Sequence, residues 1–470
     1  MTEKENSRSS ALDALRGYAI ITMVLSATVA GSILPGWMYH CQEPPPGHVY
    51  DASLAGVTWV DLVFPAFLFA MGAAFPFSIG KRRERGASLL SLSGQIVWRA
   101  VQLTYFAILI QHFYPYVTSG GGPQSARHWL MALACFACMF AMFMRLPRRW
   151  PQWVRVAVPL VAFALGLVAM WVMPYPAGEH FDPHRSNIII LIMANVALWG
   201  GLLYLFTVGR ERLRALLLLG VAALFLSSGV EGSWAQAVLK WTPVDWFYQP
   251  WMLKYLLIVI PAAYAGQMVR DSLSGLSSSR VPGAARAWTV LAVCVALVVC
   301  NLALLYTRQV LLNMLVSAAL LAVGSLALRR GQGYVALWRG LFGLAAALLV
   351  LGLLMEPFEG GIKKDPPSFS YLLVMGALSC FLLIAFSVLC DAWRCRRGTR
   401  FLVMSGQNPM VAYVAGDLFV IPLMQLTGVW PLMAGLCTSP WPGFLHGVIL
   451  TSLVVLVTML FTRLGCLWRT

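Results

Sequence analysis

The sequence predicts an all-α fold, a polytopic integral membrane bundle of about 12–14 transmembrane helices with no soluble domain. Three observations predict it. Of the 470 residues, 59% are hydrophobic and 11% are Asp, Glu, Lys or Arg, against about 25% charged in a soluble domain. The mean hydropathy is +0.74. Fourteen apolar runs fall near 17–36, 58–80, 97–115, 128–145, 155–173, 188–207, 214–230, 252–269, 288–306, 309–328, 338–355, 370–390, 402–427 and 443–462. Most approach the roughly 20 residues that cross a bilayer. This composition excludes a large soluble enzyme, a disordered chain and a disulfide scaffold.

The formal net charge is +16, from 34 Lys and Arg against 18 Asp and Glu. A soluble chain with this balance suggests a nucleic-acid partner. In a membrane chain Lys and Arg collect in cytoplasmic loops instead, so no nucleic acid is expected. With the N-terminus inside and the runs alternating, 27 of the 34 cationic residues fall on inner segments. That bias places both termini in the cytoplasm. The same topology puts His40, His48, His112, His128, His180, His184 and His446 on outer loops or outer helix ends. Histidine moves protons near neutral pH.

In chain order, residues 1–16 read as a polar cytoplasmic tail. The apolar run that follows, Tyr18 to Leu34, lacks a cleavage site and reads as an uncleaved first span. Residues 17–270 form an N-terminal transmembrane half whose outer loop 37–57 is the expected catalytic loop. SLSGLSSSRVPGAAR lies in a cytoplasmic linker, 271–287, before a C-terminal half at 288–470. Cys135 and Cys138 sit in an apolar run and read as helix-packing residues, not a metal site, while a Cys41–Cys437 disulfide stays open. No metal is expected.

Five constellations carry candidate chemistry. The outer loop holds His40, His48 and Asp51, stiffened by Pro44 to Pro46, and ends at Asp61 on the threshold of the second span. A carboxylate at that depth suggests function, while its structural alternative is a helix N-terminal charge. His40, beside Trp37, Met38 and Tyr39, reads as structural, and His48 as the functional imidazole. LDALRG places Asp13 and Arg16 on one helix face at the inner mouth of the first span. Arg185 and Asn195 mark the sixth run. EPFEGGIKKDPPSFSY offers Glu359, Lys363, Lys364 and Tyr371 for binding hydroxyls. Asn408 interrupts the entry to the thirteenth run, where Asp417 is deeper.

Together these segments resemble a known family. LDALRG, then an apolar span, a loop and TWVDLVFPAFLFAMG resemble the heparan-α-glucosaminide N-acetyltransferase family, most closely its bacterial branch associated with N-acetylglucosamine use. FDPHRSNIIILIMAN, GGIKKDPPSFSY and GQNPMVAYV are similar to later blocks of those bacterial members. The resemblance implies a bacterial inner-membrane acetyltransferase. It implies that acetyl-CoA is offered from the cytoplasm and that a glucosamine-type sugar or oligosaccharide accepts the acetyl group on the periplasmic side. It places the active-site histidine ten residues before the Asp of DLVFP, a position held here by Asp51, with His48 three residues earlier. The catalytic role is therefore carried to His48, with Asp61 and Asp51 orienting it. The family's Asn in the first span corresponds to Ala27.

The chemistry asks for a base that takes a proton from the acceptor as it attacks a thioester. A direct attack and a covalent acetyl-histidine route both fit. Arg16, Asp13, Asn408 and Arg82 are the candidates for holding acetyl-CoA, and Arg185, Asn195, Glu359, Lys363, Lys364 and Tyr371 for holding the acceptor. The acceptor group is an amine or a hydroxyl, and a homodimer is left open. The alternative function is a secondary transporter for an amino sugar or acetylated sugar, which many spans and a broken helix also suit.

Overall fold

Each apolar run becomes a helix, because in lipid a backbone must satisfy its own hydrogen bonds. The computed structural model describes residues 9–147, 149–176, 178–276 and 281–468. The bundle is built from α1 (Ser10–Thr28), α2 (Trp59–Ala73), α3 (Leu89–Phe113), α4 (Ala126–Phe143), α5 (Gln152–Val172), α6 (Ile188–Phe206), α7 (Glu211–Ser227), α8 (Leu256–Leu276), α9 (Ala284–Tyr306), α10 (Val310–Ala327), α11 (Tyr334–Met355), α12 (Phe369–Phe386), α13 (Arg396–Gln407), α14 (Pro409–Ala415) and α15 (Pro440–Arg463). Wider i→i+5 turns extend α2 through Pro76–Gly80, α12 through Ser387–Ala392 and α14 through Gly416–Val420. Among the described residues, twelve helices are long and apolar enough to cross a membrane. The chain is a polytopic helical membrane protein.

Two of the fourteen expected spans fall short of that measure. Helix α7 has 17 residues, and α3 carries Arg99, Gln95, Gln102 and Gln111 along its length. Two boundaries also move. Helix α1 begins at Ser10 because the Ser9 side chain caps it, accepting from the Leu12 N–H. The inner end of α1 thus takes residues from the expected tail, whose first eight lie outside the described residues. Helix α8 likewise runs to Leu276, inside the expected linker, of which residues 277–280 are not described.

The 402–427 run is divided. Asn408 separates α13 from α14 at φ −134°, ψ 55°, and its amide is taken by the C-terminal segment. Asn408 Nδ2 donates to Cys466 O at 3.0 Å and its Oδ1 accepts from Trp468 N at 3.1 Å. Helix α1 is the hub and packs against α2, α12, α13, α14 and α15. Its contact with α13 needs two glycines. A Cβ on Gly17 would overlap Leu402 O, and one on Gly406 would overlap Asp13 O. Small residues of this kind let membrane helices approach closely. The packing fixes which loops meet at each end of the bundle.

Candidate active site

At one end of the bundle, the loop before α2 folds back onto the start of that helix. Thr58 caps α2, and Asp61 completes a capping box by accepting from Thr58 N at 2.9 Å. Tyr39 braces the loop, donating to Ala30 O at 2.5 Å and accepting from Leu34 N at 3.1 Å. Thr58 Oγ1 donates to Tyr39 O at 2.7 Å. The residue after Tyr39 therefore arrives at the helix N-terminus. His40 Nδ1 lies 2.7 Å from Asp61 Oδ1.

The second oxygen of Asp61 is also occupied. Oδ2 accepts from Cys41 N at 3.2 Å as well as from Thr58 N. A carboxylate given this many donors is held as an anion. It is an acceptor only, so His40 Nδ1 carries a proton and donates it to Asp61. The Asp61 side chain is 1% exposed and that of His40 33%. The buried acid is thus fixed and one edge of the imidazole stays open. Tyr371 supports the pair from α12, its hydroxyl donating to the Asp61 backbone carbonyl at 2.7 Å.

The 356–368 loop closes over this pair. Gln42 grips the Asp365 backbone twice, donating to its carbonyl at 2.6 Å and accepting from its N–H at 2.8 Å. Tyr50 donates to the same carbonyl at 2.6 Å, and Gly56 N donates to Ile362 O at 2.8 Å. These ties bring Lys364 Nζ to 3.0 Å from His40 Nδ1 and 3.2 Å from Nε2. Burial pulls the Lys364 pKa below the usual lysine value, against the raising effect of Asp61, Glu43 and Asp365. The Cys41 thiol is pushed up to about 11, first by burial and then by Asp61. It stays protonated at neutral pH and is a poor nucleophile there.

The histidine singled out from the sequence has a different position. The structure pairs Asp61 with His40, whereas His48 braces the loop. His48 Nε2 accepts from Ser32 N at 3.1 Å, and its Nδ1 donates to Glu43 O at 3.1 Å. Its ring stands edge-on to Tyr39 at 4.6 Å. Both ring nitrogens are committed to backbone, and the residue sits in the left-handed region at φ +48°. Asp51 faces solvent and accepts from Ser53 N and Oγ at 2.8 and 2.6 Å. Those bonds hold its carboxyl below the usual carboxylate range. It orients no imidazole.

Other sequence candidates are dispersed. Glu359 caps α12, accepting from Phe369 N at 2.6 Å and Ser370 N at 2.8 Å. The Lys363 backbone closes the same turn through Ser368. Arg185 pairs with Glu179 at 2.8 Å and lies over the Tyr175 ring. Asn195 is buried and donates to Leu191 O and, at 2.7 Å, to Phe247 O, tying α6 to a loop. Arg82 pairs with Gln95.

At the opposite end, Arg16 reaches Asp13 at 3.5 Å and donates to Gly406 O at 3.2 Å. The sequence reading missed its neighbour, Arg99 of α3. The two guanidinium charges lie close enough to repel, and Arg99 Nε is buried with no partner among the described residues. An apolar cleft begins one helical turn further in. It is lined by Ile20 and Met23 of α1, Leu103 and Phe106 of α3 and Tyr413 of α14, with α2 and α6 completing its walls. Spacings of four and seven residues put Arg16 on one face with Ile20 and Met23, and Arg99 with Leu103 and Phe106. The arginines therefore stand at the lip of the cleft. The His40 cluster and the cleft both use α2 but share no lining residue. A lone arginine inside an apolar run was the available signal for Arg99.

Fold and geometry thus define a polytopic helical membrane protein that carries a carboxylate-oriented imidazole at one end. The chain belongs to the family described as "Domain of unknown function (DUF5009)", whose model matches residues 8–269. It is also similar to heparan-alpha-glucosaminide N-acetyltransferase of Mus musculus, 34% identical over 113 residues, which is 23% of this chain and 15% of that protein. The Homo sapiens protein of the same name is 34% identical over 103 residues, 22% of this chain and 14% of that one. The matched stretch is thus a small part of those relatives.

Proposed function

We propose that this protein is a membrane acetyltransferase that moves an acetyl group from acetyl-CoA to the amine of a glucosamine-type sugar, with His40 as its base. The observation that carries the reading is the His40–Asp61 contact of 2.7 Å. A neutral imidazole with its Nδ1–H on a buried carboxylate presents Nε2 to solvent-accessible substrate, the arrangement that general-base catalysis needs. The likeness to two N-acetyltransferases supplies the reaction class. The bias of cationic residues toward one side supports cytoplasmic termini, and the resemblance of the sequence blocks to bacterial members supports a bacterial inner membrane.

In this reading Arg16 and Arg99 take the phosphates of acetyl-CoA on the cytoplasmic side, as guanidinium groups do. The apolar cleft offers a dry path for the pantetheine arm. The acceptor amine attacks the thioester carbonyl carbon and gives its proton to His40 Nε2. The carbon–sulfur bond then breaks, and the departing CoA thiolate takes that proton. The products are an amide and free CoA, and His40 returns to its starting state.

Purified protein in proteoliposomes, given radiolabelled acetyl-CoA and glucosamine, tests the reading. Labelled N-acetylglucosamine is the expected product. Saturable glucosamine uptake without acetyl-CoA, and no acetylated product, would replace this reading with the transporter.

A further inference from the structure

The acetyl-transfer reading leaves one chemical requirement unassigned. Attack on a thioester puts negative charge on the carbonyl oxygen, and a donor must already be in place to receive it. His40 and Asp61 cannot serve, since one takes the proton and the other is an anion.

Lys364 Nζ lies within 3.2 Å of both ring nitrogens of His40. The in-plane bonds of those nitrogens diverge, so an atom close to both lies against the ring face. From there the ammonium leaves the in-plane Nε2 lone pair free for a proton. An ammonium at that distance can reach a carbonyl oxygen placed beside Nε2. The position is held firmly. The Gln42 and Tyr50 bonds pin the Asp365 backbone immediately after it. Asp61, Glu43 and Asp365 surround it with negative charge.

We propose that Lys364 is a catalytic residue whose ammonium stabilises the oxyanion formed beside His40 Nε2. The proposal rests on the acetyl-transfer reading. As the amine adds to the carbonyl carbon, the carbon–oxygen π pair moves to oxygen and is met by Lys364. When the pair returns, the carbon–sulfur bond breaks and the lysine keeps its protons throughout.

The charged and titratable groups around His40 are Asp61 from α2, Lys364 and Asp365 from the closing loop, Glu43 and Cys41 from its own loop, and Arg308 beyond Cys41. Lys364 is the cation that touches the ring.

The test is steady-state kinetics of Lys364→Met, Lys364→Gln and Lys364→Arg in the full chain, from pH 5 to 9, beside His40→Ala. Lys364→Met and Lys364→Gln are expected to lower kcat about 100- to 1000-fold, as loss of an oxyanion donor does. KM for glucosamine should stay within about threefold, because the interaction forms only in the transition state. Lys364→Arg should restore most of the rate. Lys364→Met or Lys364→Gln with near-normal kcat, beside an inactive His40→Ala, overturns the lysine's role alone. An active His40→Ala protein overturns the reading on which it rests.

Discussion

Asp61 accepts from His40 Nδ1 at 2.7 Å while its other oxygen caps α2, so one buried carboxylate both starts a transmembrane helix and orients an imidazole. Asp61→Asn removes the anion without changing the shape of the side chain. The His40 tautomer is then no longer fixed, and kcat is expected to fall about 100- to 10,000-fold. Loss of the charge-assisted cap should also lower stability by about 1–3 kcal/mol. Kinetics and thermal unfolding of the same preparation measure both effects.

Gln42 is the clasp between the two loops that build the site. It is 3% exposed and makes two hydrogen bonds to the Asp365 backbone. Gln42→Ala leaves both Asp365 groups without that partner, at a cost of about 0.5–1.5 kcal/mol per hydrogen bond, since Asp365 is exposed and Tyr50 still donates to its carbonyl. Amide exchange in residues 360–368 should quicken, and kcat should fall as Lys364 loses its position. Unchanged exchange in that segment would contradict the clasp.

At the other end, Arg16 and Arg99 are expected to act on acetyl-CoA and not on the sugar. Arg99→Leu should raise KM for acetyl-CoA roughly tenfold, with KM for glucosamine nearly unchanged. Acetyl-dephospho-CoA separates the contributions, because an arginine that holds the missing phosphate loses its effect when the phosphate is gone. Equal KM changes for both substrates would count against the assignment.

A pH-dependent tie lies outside the spans. His184 is held between Asp182 at 2.9 Å and Asp245 at 3.2 Å. Hydrogen bonds to Asp182 and then Asp245 raise its pKa above the ordinary histidine value of 6.5. A group whose folded pKa is raised stabilises the fold fully below its unfolded pKa and loses that effect as pH rises through the folded one. The tie between residues 182–184 and 245 is therefore complete below pH 6.5 and loosens above the raised value. Amide exchange of residues 241–249, corrected for intrinsic rates, should accelerate across that window and should be flat in His184→Phe.

The helices were legible because a lipid solvent demands long apolar runs, and each run is local. The exceptions were set by distant partners. The break at Asn408 depends on Cys466 and Trp468, which reach it from the end of the chain. In the loop expected from sequence to carry the catalysis, the structure pairs Asp61 with His40, where the sequence pointed to His48. His48 is nearer to Asp61 along the chain, yet its backbone turn directs it to Ser32 and Glu43. His40 is 21 residues from Asp61 and is returned to it by the Tyr39–Thr58 brace. Lys364 is 324 residues from His40. Neither spacing nor periodicity encodes contacts of that range; they follow from the packing of α2 against α12.

In the proposed reaction His40, and not His48, receives the acceptor's proton. The most direct measurement is acetyl transfer by His40→Ala and His48→Gln in parallel, each checked for folding by thermal unfolding. A folded His40→Ala protein without transfer, beside a His48→Gln protein that keeps turning over, is the predicted result. A His40→Ala protein that acetylates glucosamine at the wild-type rate would contradict it.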